Sequence, residues 1–143
     1  MVEKGITSAI LEFDQSTKTS QFAAHILGCQ VAQIAKSIVL KGTNPYILII
    51  SGDKKVDLKK VSKVVGVDLR IADPSYIEAN TGYKVGGVPP FPHRKGIVIL
   101  LDTSLERWTE VWTAAGSSNS VMKIEIKDLK RITEGRLVDL SLG

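Results

Sequence analysis

Residues Ala35–Ser51, AKSIVLKGTNPYILIIS, decide the fold: two apolar runs with one short polar break between them. AKSIVLKG (Ala35–Gly42) and YILIIS (Tyr46–Ser51) are rich in branched apolar side chains. Thr43-Asn44-Pro45 supplies turn chemistry between them, so the pair reads as a β-hairpin with a turn slightly longer than the tightest type. Lys36 stands at the start of the first strand and is followed by Ser37 and then by apolar residues only. Taken alone, a lysine flanked by Ile34, Ala35, Ile38 and Val39 is a strand-end side chain whose stem packs while its ammonium reaches water.

Toward the N-terminus, SAILEF (Ser8–Phe13) has the character of a short strand. SQFAAHILG then carries Phe22, Ala23, Ile26 and Leu27 at helical spacing, with Thr19 as N-cap and Gly28 placed to end the helix. His25 and Cys29 lie four residues apart on it, a spacing that can hold a metal. Cys29 is the only cysteine and the only other histidine is His93, so the three or four ligands of a zinc site are not available and no metal is expected. Cys29 reads instead as a small buried residue.

Toward the C-terminus, GDKKVDLKKVSKVVG contains a short amphipathic helix. Asp57 caps it, Leu58, Val61 and Val65 face the core, and Lys59, Lys60 and Lys63 share the other side. That basic side is a solvated face in the simplest reading and a phosphate-contacting patch in the second. VDLRIAD reads as a strand, and Asp73-Pro74 opens a helix through Ser75–Asn80 that ends at Gly82.

The chain then enters TGYKVGGVPPFPH (Thr81–His93), where Gly82, Gly86, Gly87, Pro89, Pro90 and Pro92 fall within thirteen residues. Proline removes donors and blocks regular structure, whereas glycine lets another group approach the main chain. A stiff loop follows, whose amides at Gly86, Gly87 and Val88 are candidates for pre-aimed donors to an anion or a polarised carbonyl. By itself, such a cluster marks only a tight turn. Beyond it, GIVILLD (Gly96–Asp102) is a continuous apolar run expected to be covered on both faces. A strand through Trp112, a small-residue turn at Ala114–Ser120, the alternating strand VMKIEI, a short helix KDLKRIT and a last strand in RLVDLSL complete the chain.

The 143 residues suit one domain, 1–143, and 43% hydrophobic with 24% charged residues is ordinary for a soluble globular protein. One cysteine excludes an intrachain disulfide and fits a reducing compartment. MVEKGITSAI lacks the apolar core of a secretory signal, and no apolar run nears the ~18 residues of a membrane helix. A soluble cytoplasmic protein is expected, and its net charge of +4 permits a polyanionic partner without demanding one. The expected fold class is mixed α/β, a single compact domain with a central mixed β-sheet and short flanking helices.

TSQFAAHILGC, QIAKSIVLKG, GDKKVDLKKVSK, TGYKVGGVPPF, IVILLD, TAAGSSNS and KDL, in this order and spacing, resemble the YbaK/ProRS-associated editing domain family from Thr19 to Leu129. The lysine of AKSIVL together with the G-x-x-x-P loop, Gly86 to Pro90, is the most specific part of the likeness. The resemblance implies a mixed α/β fold and an aminoacyl-tRNA deacylase that hydrolyses the ester of mischarged tRNA. The carrier implied is tRNA for proline bearing a small amino acid such as Ala, Cys, Ser or Thr, and the length suggests a free-standing, trans-acting member.

It also implies catalytic roles for Lys36, Gly86, Gly87, Val88 and Pro90. Lys36 would hold the terminal phosphate or ribose, and the loop backbone would position water and stabilise the oxyanion, with the substrate's own ribose hydroxyl assisting. Such a site needs no Ser–His–Asp set, metal or cofactor. The implied pocket is formed by Thr19, Phe22, Ala23 and Ser37 with the turn Gly116, Ser117, Ser118. The implied partners are the 3′ end of mischarged tRNA and, as a second candidate, prolyl-tRNA synthetase, with no membrane and no DNA. Two departures stand out. His93 follows the loop where many relatives have glycine nearby and reads as a surface residue, and Ser117 to Val121 lacks the aspartate that some cysteinyl-specific relatives carry. The alternative function is a non-catalytic tRNA- or nucleotide-binding module of the same fold.

Overall fold

In the computed structural model, residues 10–12, 19–85, 87–90, 96–117 and 120–142 are described. The helices form where apolar spacing and capping residues agree. Thr19 Oγ1 accepts from the Phe22 amide at 3.2 Å and opens α1 (Ser20–Leu27). Asp57 accepts from Lys60 N–H at 3.1 Å and opens α2 (Leu58–Val65), and Asp73 accepts from Tyr76 N–H at 2.8 Å and opens α3 (Pro74–Thr81). All three end on glycines, Gly28, Gly66 and Gly82, in the left-handed conformation. A fourth helix, α4 (Ile126–Thr133), follows directly from a strand; its first amide, that of Ile126, donates to Thr109 C=O at 2.8 Å.

The strands divide between two sheets. The larger holds β2 (Ala35–Lys41), β3 (Pro45–Ser51), β4 (Arg70–Ile71), β5 (Val98–Asp102) and β8 (Arg136–Val138), in the order β4-β2-β3-β5-β8. The smaller has β1 (Ile10–Glu12), β7 (Ser120–Glu125) and β6 (Glu110–Ala114), in the order β1-β7-β6. β2 and β3 form the expected hairpin, from Ala35 opposite Ser51 to Lys41 opposite Pro45. β3–β5 and β5–β8 are parallel, so the larger sheet is mixed and the fold class is mixed α/β. A bridge between Ile34 and Trp112, running parallel, links the two sheets.

Each face of the larger sheet has its own core. On one side Ala35, Val39, Ile47, Ile49 and Leu101 pack with Ile77 of α3, Val88, Met122 and Ile124 of the smaller sheet, and Leu129 of α4. On the other, Leu40, Leu48 and Leu100 pack with Val61 of α2, Leu69 and Leu140. Fully burying one such side chain stabilises by about 1.5–3 kcal/mol. α1 covers the junction between the sheets with Ala23 and Ala24 against Ile34 and Trp112.

Two expectations about strands need correction. VDLRIAD contributes only Arg70–Ile71, because β4 finds partners only at Leu40–Lys41, and Asp73-Pro74 then commits the chain to α3. β5 is not covered along its whole length. Val98 is 39% exposed, since β8 pairs only with Leu100–Asp102. Two short 3-10 segments, Val31–Gln33 and Thr103–Arg107, have no counterpart in the sequence reading.

Candidate active site

A cavity of about 70 Å³ lies where the two sheets part. β2 and β6 run side by side at Ile34 and Trp112, then diverge, β2 toward its pairing with β4 and β6 into its hairpin with β7. One wall is Ala35, Lys36 and Ser37 of β2; the facing wall is Trp112, Thr113 and Ala114 of β6. Ser20 and Ala23 of α1, together with Ile34, Val121 and Val88, complete it. At about 10–15 Å³ for each water-sized occupant, it admits a group of roughly five heavy atoms.

Lys36 and Ser37 reach the cavity differently. Strand alternation puts Ser37 on the face of Ala35 and Val39 and Lys36 on that of Ile38 and Leu40. The Lys36 ammonium donates to Lys54 C=O at 2.7 Å, which leaves two N–H bonds without a partner among the described residues. Burial lowers the Lys36 pKa; Lys55 adds to this, and Asp53 opposes it. Asp53 is itself engaged: its carboxylate accepts from Arg107 Nη2 at 2.7 Å and Nη1 at 3.1 Å, and that pairing lowers its pKa.

The glycine–proline loop meets the cavity through Val88, and Gly87 to Pro90 are buried. Gly87 is held by close approach. A Cβ there would lie 2.9 Å from Ser117 Cα and 3.0 Å from Ser117 C, so the loop packs backbone to backbone on the β6–β7 turn. The Gly87 amide donates to Lys84 C=O at 2.9 Å and is already engaged. Val88 N–H makes no hydrogen bond among the described residues, and Val88 lines the cavity.

Of the residues singled out from sequence, Lys36, Ser37, Ala23 and Val88 come together around one cavity. Thr19 is spent on capping α1, and Phe22 is half-buried away from the wall. Gly116 and Ser117 form the turn that backs the loop, and neither they, Gly87 nor Pro90 lines the cavity. Gly86, His93 and Ser118 lie outside the described residues. Sequence reasoning missed Ser20, Trp112, Thr113 and Val121. Thr113 is 1% exposed, and neither its Oγ1 nor Ser37 Oγ has a hydrogen-bond partner among the described residues. Period-two alternation in EVWTA marks Thr113 as sharing a face with buried Val111, but nothing local marks β2 as its neighbour.

Residues 14–132 match the family described as the aminoacyl-tRNA editing domain, and the chain belongs to that family. It is 33% identical over 126 residues to YwhH of Bacillus subtilis (strain 168), covering 87% of this chain and 80% of that protein. It is 29% identical over 123 residues to the multifunctional Ser/Thr-tRNA deacylase ProXp-y of Escherichia coli (strain K12), covering 81% and 74%. A solved structure described as a candidate trans-editing enzyme for prolyl tRNA synthetase superposes with a TM-score of 0.89 at 35% identity, covering 95% of this chain and 87% of the other.

Proposed function

We propose that this protein is a trans-acting deacylase that hydrolyses the ester between a small amino acid (Ala, Cys, Ser or Thr) and the terminal adenosine of mischarged tRNA, with tRNA for proline as the carrier. The observation that carries this reading is that Lys36 and Val88, far apart in the chain, line one cavity of aminoacyl size. In the reaction, water attacks the ester carbonyl carbon, the carbonyl electron pair moves onto oxygen, and the tetrahedral intermediate collapses by expelling the ribose oxygen, which takes up a proton. Val88 N–H donates to the developing oxyanion. One such donor is worth about 2.7–4 kcal/mol of transition-state stabilisation.

Lys36 acts as a charge, not as a base. Its free N–H bonds hold the terminal phosphate or ribose at the mouth of the cavity, where partial burial strengthens the attraction. The ribose hydroxyl beside the ester orients the attacking water. Membership of the editing family and the Ser/Thr-tRNA deacylase activity of the Escherichia coli relative support the same chemistry.

The test is deacylation of tRNA for proline charged in turn with Ala, Cys, Ser and Thr, read as release of free amino acid. Turnover of at least one substrate is expected. Lys36→Ala should reduce kcat/KM about 10–100-fold, the range for losing a hydrogen bond from a charged group. Salt-dependent tRNA binding without turnover on any substrate would overturn the proposal in favour of a non-catalytic binding module.

A further inference from the structure

The Lys36 ammonium is aimed by a turn that a second element grips. β3 runs into the turn Ser51–Lys54, closed by Lys54 N–H donating to Ser51 C=O at 3.0 Å, and the Lys54 carbonyl accepts from Lys36 Nζ at 2.7 Å. The 3-10 segment Thr103–Arg107 holds this turn at two points. Ser104 Oγ accepts from Ser51 N–H at 3.3 Å, and Arg107 forks onto the Asp53 carboxylate at 2.7 and 3.1 Å. The guanidinium is itself fixed, because Arg107 Nε donates to Ser104 C=O at 2.9 Å.

Asp53 stands directly before the residue whose carbonyl Lys36 touches, and its negative charge acts on the ammonium. A carboxylate and a half-free ammonium this close are natural partners, yet no bond joins them among the described residues. Arg107 accounts for that. Its planar fork occupies both carboxylate oxygens, a fit that a lysine ammonium does not reproduce. A substrate phosphate needs the same Lys36 N–H bonds. An unpaired carboxylate beside them competes as a tethered anion, at the high effective concentration of an intramolecular ligand.

We propose that Arg107 is a positioning residue for deacylation: by binding both oxygens of Asp53 it keeps that carboxylate off Lys36 and leaves the ammonium open to the substrate. The inference rests on the deacylase reading and adds to it a residue that itself touches no substrate. The pair is 40% and 35% exposed, and ion pairs so open to water contribute little to folding, which leaves control of the neighbouring charge as its main effect.

The experiment measures KM and kcat on proline tRNA charged with Ala, Cys, Ser or Thr, whichever the wild type hydrolyses fastest. The variants are Arg107→Ala and Arg107→Ala with Asp53→Asn, each corrected for its folded fraction by urea unfolding. Arg107→Ala should raise KM about 10-fold, the scale of one hydrogen bond to a charged group. Its kcat should change by less than about 2-fold, since the lost attraction is shared by ground and transition states. Adding Asp53→Asn removes the competing charge and should bring KM back to within about 3-fold of the wild type. A merely structural role for the pair predicts the opposite, a double variant no better than Arg107→Ala. Turnover with KM unmoved in Arg107→Ala, or raised and not recovered in the double variant, overturns the inference and leaves the deacylase reading standing. Turnover of none of these substrates by the wild type overturns both.

Discussion

At Gly87 one absent carbon sets the distance between two loops. The Ser117 backbone occupies the space a side chain would need, and a backbone neighbour cannot swing aside as a flexible side chain would. Gly87→Ala should therefore separate the loop from the turn and shift Val88 relative to the cavity it lines. A cost of about 1–3 kcal/mol, typical of overpacking, is expected in denaturant melts. Deacylation should fall by more than that loss of folded protein explains, which an activity assay on the folded fraction checks. The glycine–proline signal was legible in the sequence. That the Gly87 amide is spent on Lys84 C=O was not, because the hydrogen bond depends on how the loop closes on itself.

Single elements were the most readable level. Thr19, Asp57 and Asp73 cap where their side chains stand next to apolar periodicity, since a cap satisfies amides only two or three residues away. The end of β5 shows the opposite case. Asp102 closes the apolar run GIVILLD, and although a carboxylate, it is 0% exposed. Its Oδ2 accepts from Ser104 N–H at 3.0 Å, starting the 3-10 segment Thr103–Arg107. Its Oδ1 accepts from Leu140 N–H at 2.6 Å, which ties down the C-terminal segment after β8. Asp102→Ala should cost about 2–4 kcal/mol, since one buried and one part-buried amide lose their acceptor together, and urea unfolding measures it. Asp102→Asn, which keeps the acceptor oxygen, should recover part of the loss.

For the molecule as a whole, the modest charge of +4 matters less than where the cations are free. The basic face of α2 is weaker than its sequence suggests, because Lys60 is held by Ser141 C=O at 2.7 Å and Asp139 at 3.4 Å. At the cavity, Lys36 donates to Lys54 C=O and feels the charges of Lys55 and Asp53, and Arg107 occupies Asp53. If about three phosphates of a single-stranded tRNA end are contacted there, log K should fall with log salt at a slope of about −2. Lys54→Ala with Lys55→Ala should flatten that slope by about 1.4, measured by filter binding or anisotropy across a salt series. An unchanged slope would place the RNA on another face.

Hydrophobic period, capping side chains and turn residues, all properties of neighbours a few positions apart, determined the hairpin Ala35–Ser51, the helices and the mixed α/β class. Lys36 and the glycine–proline loop stood out as a pair only through the resemblance to the editing-domain family. The tertiary structure alone decided that β6 runs beside β2 at Ile34 and Trp112, that the β6–β7 turn backs Gly87, and that Thr113 joins Ser37 at the cavity. Backbone amides and carbonyls are the same for every strand, so a strand's sequence fixes which face it buries but carries no label for the strand it will lie against.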